Sequence, residues 1–181
     1  MIHLASNSQS RALLLHKFGI DFMQKSPTYD EDKIRTTIAK DFVYTASKGK
    51  MDAAIKEFGL DIPLLCADTV IMASDGTILR KAKNIDDARD ILNIQSGSQI
   101  SIISSLHFKT KKLLFSDISA THYYFEKFKE DDLEEYLASD LWRGKAGGCM
   151  VEGFCKKYIE SVEGFESTAM GLQVEKLLPW L

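Results

Sequence analysis

Leu64-Leu65-Cys66-Ala67-Asp68-Thr69-Val70-Ile71-Met72-Ala73-Ser74-Asp75-Gly76 is the stretch that decides the fold. From Leu64 to Met72 it is apolar except at Asp68 and Thr69, the composition of a strand covered on both faces. Asp75-Gly76 is a tight-turn pair, and Thr77 to Leu79 reads as a second strand. Upstream, Met1 to Ala5 reads as a short strand and Ser6 to Ser10 as a polar loop that can cap a helix. From Arg11, the residues Leu14, Leu15 and Phe18 have helical spacing, and Gly19 ends that helix. Asp21 to Lys25 reads as a strand stopped by Pro27. Asp41 to Phe58 is a longer helix, with Phe42, Ala46, Ala53, Ala54 and Phe58 as its buried stripe and Gly59 as its stop.

Downstream, Asn84 to Ile94 is helical, with Ile85, Ala88, Ile91 and Leu92 on one face. Gln99 to Phe108 and Leu113 to Phe125 are rich in β-branched and aromatic residues and read as an antiparallel hairpin across a Lys109-Thr110-Lys111-Lys112 turn. Glu130 to Ala138 is a helix, Gly144 to Gly148 a loop, and two short strands and a last helix, Leu172 to Leu178, follow. Strands interleaved with helices, plus one hairpin, predict an α/β fold around a mixed sheet. With three prolines and no Gly/Ser-rich linker, residues 1–181 read as one domain.

The charge balance, 23 Lys+Arg against 26 Asp+Glu, gives no general attraction to nucleic acid or anionic lipid, so neither is expected as a partner. The opening residues have no positive segment followed by an apolar stretch, so no signal peptide is expected. No apolar run approaches the roughly 20 residues that cross a bilayer. Three cysteines, Cys66, Cys149 and Cys155, make an odd set with no CxxC. They read as reduced, mostly buried thiols, which fits a cytoplasmic protein.

Candidate chemistry starts at Ser6-Asn7-Ser8-Gln9-Ser10-Arg11, where a helix N-terminus, two serine hydroxyls and an arginine fork suit a phosphate. The same residues serve equally as an ordinary serine N-cap with a surface arginine. Asp68 stands in a buried strand, where a carboxylate is costly without a cation or metal partner. Alternatively, Asp68 and Thr69 sit at a strand end and satisfy backbone N–H groups. Lys50 and Lys81, taken singly, read as surface lysines. Asp30-Glu31-Asp32 can hold a divalent cation or form the charged first turn of a short helix. Gly144-Lys145-Ala146-Gly147-Gly148 is not a Walker A loop, and neither HExxH nor GxSxG occurs.

Taken in order, LASNSQSR, CADTVIMASDGTILRK, SGS and GKAGGCMVEGF…IESVEGF…MGL resemble the Maf, or septum-formation, family over nearly the whole chain. That resemblance implies a Maf/inosine-triphosphatase-like architecture and a metal-assisted nucleoside triphosphate pyrophosphatase that uses Mg²⁺ or Mn²⁺. It implies an NTP as the bound partner and allows a homodimer. By the resemblance, Ser6, Ser8, Arg11, Lys50 and Lys81 bind phosphate, Glu31 and Asp68 hold metal, and Asp68 is the proton acceptor. Ser10, Thr69 and Glu152 fall on three positions that separate dTTP/UTP enzymes, with Arg, Thr and Gln, from 7-methyl-GTP enzymes, with Trp, Gln and Glu. This chain matches neither set. The altered positions leave an alternative, a nucleotide-binding regulator of septum formation with little turnover.

Overall fold

The computed structural model describes residues 1–181. Seven strands form one mixed sheet. They are β1 (Ile2–Leu4), β2 (Phe22–Gln24), β3 (Leu64–Ala73), β4 (Ile78–Leu79), β5 (Gln99–Lys109), β6 (Leu114–Phe125) and β7 (Ile159–Glu163). The order is β2-β1-β3-β5-β6-β7, with β4 paired to β3. β1 lies parallel to both β2 and β3, with Leu4 opposite Gln24 and Leu65. β4 returns antiparallel through the Asp75-Gly76 turn, with Ile71 opposite Leu79. The helices are α1 (Gln9–Lys17), α2 (Ala39–Phe58), α3 (Ile85–Gln95), α4 (Glu130–Ala138), α5 (Glu166–Ala169) and α6 (Val174–Leu177). The α/β class with a mixed sheet is therefore the observed one. No helix is long and apolar enough to cross a membrane.

Backbone contacts group the chain into two compact units. The first is Met1–Thr69, Ile103–Ala120 and Phe165–Leu181; the second is Val70–Ile102 and Thr121–Gly164. In the first unit, β3 splits its side chains by parity, as a pleated strand must. Leu65 and Ala67 pack with Leu4, Leu14 and Leu15 on the α1 side. Leu64 and Cys66 pack with Ala5, Met51 and Ala54 on the α2 side. In the second unit, Asn84 caps α3 by accepting from the Asp87 N–H, and an Arg89–Glu134 ion pair ties α3 to α4. Phe128, Phe154 and Tyr158 form an aromatic cluster, with the Phe154 ring stacked on Tyr136.

Several expectations change. Helix α1 begins at Gln9, two residues before Arg11, because Ser8 of the polar loop is the N-cap, so Ser10 belongs to the first helical turn. The buried stripe of α2 keeps Phe42, Ala46 and Ala54, while Ala53 and Phe58 are half-buried and Val43, Ser47 and Met51 take their place. Only one of the two late strands forms. Phe154–Tyr158 is a 3-10 turn whose rings join the aromatic cluster instead of extending. The last helix, expected over Leu172 to Leu178, is shorter: α6 covers Val174–Leu177 and a 3-10 turn follows, while a separate four-residue helix, α5, precedes Gly171 at φ +99°.

The expectation of reduced thiols fails for two of the three cysteines. Cys149 and Cys155 form a disulfide across six positions of chain. Left-handed Gly147 and Gly148 on one side and the 3-10 turn on the other fold the segment back, bringing the two Cα atoms to 6.6 Å. Cys66 alone is free and buried, and burial pushes its thiol up to about 12. Cysteine chemistry therefore no longer argues for a reducing compartment.

Candidate active site

The site is built around the middle of β3, because Asp68 and Thr69 lie inside the strand Leu64–Ala73 and not at a strand end. Asp68 shares parity with Leu64 and Cys66 and so faces α2, which delivers Lys50 from the turn that also buries Met51. The Lys50 ammonium lies 2.6 Å from Asp68 Oδ1 and 2.5 Å from Glu31 Oε1. Asp68 is 5% exposed. Burial raises its carboxyl above the ordinary value, Lys50 pulls the other way, and the negative field of Glu31 adds to the rise.

Glu31 reaches Lys50 because the segment before it is pinned to α2. The Thr28 N–H donates to Glu57 at 2.8 Å. The Tyr29 ring lies against Gly49, where a Cβ would stand 2.3 Å from the ring carbon Cζ. A glycine inside a helix costs about 1 kcal/mol of propensity, and here it makes room for that ring. Asp30 caps the 3-10 turn Glu31–Lys33 by accepting from the Asp32 N–H at 3.1 Å, and it pairs with Lys33. Of the acidic triplet, the turn reading therefore holds for Asp30 and Asp32, and Glu31 alone is turned to Lys50.

Thr69 has the opposite parity and faces α1. There Arg11, 8% exposed, makes three bonds to neutral acceptors. Its Nε donates to the Gly171 carbonyl at 2.8 Å, one Nη to Ser6 Oγ at 3.0 Å and the other to Thr69 Oγ1 at 3.1 Å. Burial lowers the Arg11 pKa, against the favourable field of Asp68 and Glu31. Ser6 Oγ also accepts the Ser8 N–H at 3.2 Å, so Ser6, Ser8 and Arg11 form one hydrogen-bonded loop at the α1 N-terminus. Ser10, one residue before Arg11, is half-buried and borders a hollow of about 360 Å³ with Gln9, His16, Phe22 and Gln24.

Lys81 and Glu152 belong to the second unit. Lys81 is exposed, and its backbone bridges to Ala146 of the glycine-rich loop, while the Gly147 N–H donates to the Arg80 carbonyl at 3.1 Å. That loop is held from beneath by the buried Gln95, which donates to the Gly147 carbonyl at 2.6 Å. Glu152 is exposed, inside the loop closed by the Cys149–Cys155 disulfide.

The donor chemistry suits a hard divalent cation. Two carboxylate oxygens, from Glu31 and Asp68, converge on the point held by the Lys50 ammonium. No group of three or more His, Cys, Asp or Glu side chains forms a protein-only metal cage. Mg²⁺ is commonly held by one or two carboxylates together with substrate phosphates, so two converging carboxylates fit it.

Sequence reasoning placed the charged residues but missed the Lys50–Asp68 contact and the Gly171 carbonyl under Arg11. For the first there was a signal: Asp68 has the parity of Leu64 and Cys66. The second joins residues 160 positions apart and left none.

The family model described as "Maf-like protein" matches residues 1–181. A protein named nucleoside triphosphate pyrophosphatase from Nitratiruptor sp. is 52% identical over 179 residues, covering 98% of this chain and 96% of the relative. Proteins of the same name are 36% identical in Helicobacter pylori strain J99, over 97% of this chain and 92% of theirs, and 38% identical in Campylobacter jejuni, over the full length of both. Among solved structures, the Staphylococcus aureus Ham1 protein aligns with a TM-score of 0.46 at 14% identity, covering 69% of this chain and 70% of its own.

Proposed function

This chain belongs to the Maf family, and from that premise we propose that it hydrolyses a nucleoside triphosphate to the monophosphate and pyrophosphate. The relatives carry an enzyme's name, which favours the hydrolase over a binding regulator. The observation that carries the reading is the convergence of Asp68 and Glu31 on Lys50 at the buried middle of β3.

Each residue then has a task. Asp68 is the proton acceptor. Its Oδ1 is engaged by Lys50, which leaves Oδ2 to take a proton from the attacking water. Burial raises the basicity of this carboxylate, as a general base requires. A divalent cation held by Glu31 and Asp68, Mg²⁺ or Mn²⁺, supplies neutralisation of the triphosphate charge. Lys50 orients Asp68 and places a point charge beside the phosphates. Arg11, Ser6, Ser8 and the α1 N-terminus present donors to the phosphate chain. Lys81 is carried as a phosphate-binding residue on the family pattern. Ser10, Thr69 and Glu152 are carried as specificity positions; Glu152, an acceptor only, favours a base edge with two adjacent donors. A cytoplasmic setting is part of this proposal, because nucleoside triphosphates are abundant there.

Pyrophosphate release across a panel of common and modified NTPs, with Mg²⁺, with Mn²⁺ and with chelator, tests the reading. Metal-dependent release from at least one of them is expected. Absence of release from the whole panel would overturn it.

A further inference from the structure

We infer that Ser104 is a positioning residue for this hydrolysis, acting through Thr69 to fix the plane of the Arg11 guanidinium. The inference rests on the proposed role of Arg11 as a phosphate-binding residue.

Ser104 lies on β5 and is fully buried. Its Oγ donates to the Thr168 carbonyl at 2.8 Å and lies 2.8 Å from Thr69 Oγ1. A serine hydroxyl has one hydrogen. Because it goes to Thr168, Ser104 accepts from Thr69. The single Thr69 hydrogen is thereby spent, so Thr69 presents only lone pairs to Arg11, which has only donors. The proton direction is forced from Arg11 through Thr69 and Ser104 to the Thr168 carbonyl. A hydroxyl that donates onward is also a stronger acceptor.

The other arm of the guanidinium ends at the same turn. Arg11 Nε donates to the Gly171 carbonyl, and the Gly171 N–H donates to the Thr168 carbonyl at 3.0 Å. The two arms close a ring. The ring requires glycine at position 171, where φ is +99° and a Cβ would stand 3.1 Å from Thr69 Oγ1 and 3.3 Å from Arg11 Nε. All its acceptors are neutral, so the guanidinium is held without its charge being cancelled. Of its five N–H donors, those to Gly171, Ser6 and Thr69 are used, and two remain for a phosphate.

Ser104→Ala removes the direction of this chain without orphaning the Thr168 carbonyl, which keeps the Gly171 N–H. The expected result is a loss of about fivefold in kcat/KM, the size of one ordinary hydrogen bond between neutral groups, with a melting temperature within a few degrees of wild type. A double-mutant cycle with Thr69→Val separates positioning from general support. In the Thr69→Val background the chain is already cut, so adding Ser104→Ala changes kcat/KM by less than twofold. Wild-type kcat/KM for Ser104→Ala, or a second fivefold loss in the Thr69→Val background, would overturn the inference while leaving the hydrolase reading intact. A wild-type enzyme that releases no pyrophosphate would overturn that reading itself.

Discussion

Asp68 and Thr69 are adjacent in the chain, yet they serve two faces of β3 that hold charge in different ways. On the α2 face, charge meets charge: one ammonium lies between two carboxylates. On the α1 face, the buried Arg11 cation meets only neutral oxygens of Ser6, Thr69 and Gly171. Asp68 and Glu31 act on this buried cation only through their field, and on the proposed reading an arriving phosphate supplies a direct partner. The α2 face already has its counterions and instead holds a carboxylate whose proton affinity burial has raised. On the proposed reading, one face receives an anion and the other moves a proton. Strand pleating separates the two tasks within two residues.

Asp68→Asn breaks the proton-moving face and gives the largest expected effect. Loss of a general base costs ~10²–10⁴-fold in turnover. Stability should not fall. A carboxyl whose folded pKa is raised stabilises the protein below its unfolded pKa and loses that contribution as pH rises through the folded value. At neutral pH ionised Asp68 is thus a burden, and the asparagine variant should melt at the same temperature or higher. Pyrophosphate release and a thermal melt check both halves.

Arg11→Lys breaks the receiving face. A lysine keeps the charge but cannot make three bonds in a fixed plane, so kcat/KM should fall ~10²-fold. The acid limb of the pH–rate profile, which belongs to Asp68, should stay where it is. Retention of full activity would remove the planar fork from the account.

Lys50→Met sharpens the contrast through pH. Wild-type kcat/KM should rise with pH through an apparent pKa above that of an ordinary aspartate. Without Lys50, whose charge and hydrogen bond hold that carboxyl down, the limb should move further toward neutrality. An unmoved limb would assign it to another group.

The disulfide belongs to neither face and serves as the control. Closing a loop of this length contributes about 2 kcal/mol by chain entropy, so reduction should lower the melting temperature by several degrees. The acid limb should not respond. Thiol titration of the unfolded chain should find Cys66 alone before reduction and all three cysteines after it.

The β3 strand and its returning partner were legible because a long apolar run and an Asp-Gly turn are local signals. Asp68 stood out for the same reason, as a carboxylate where none is comfortable. Its partner did not, since the periodicity of α2 marks the face that is buried but not the strand residue it meets. Ser104 was hidden within the apolar hairpin strand, where a small serine reads as filler. The Cys149–Cys155 pair needed the folded path of two left-handed glycines and a 3-10 turn, which cysteine counting does not contain. The short helix α5 and the turn at Gly171 were missed, since only the contacts of that glycine with Arg11 and Thr69 explain it and the sequence carries no local signal for them.

The most direct test of the two-face account is the identity of the products. Incubation of an accepted NTP with the protein and Mg²⁺, followed by phosphorus NMR, should give the monophosphate and pyrophosphate in equal amounts, and Asp68→Asn should give neither above background. Nucleoside diphosphate and orthophosphate as products, or undiminished turnover by Asp68→Asn, would contradict the account.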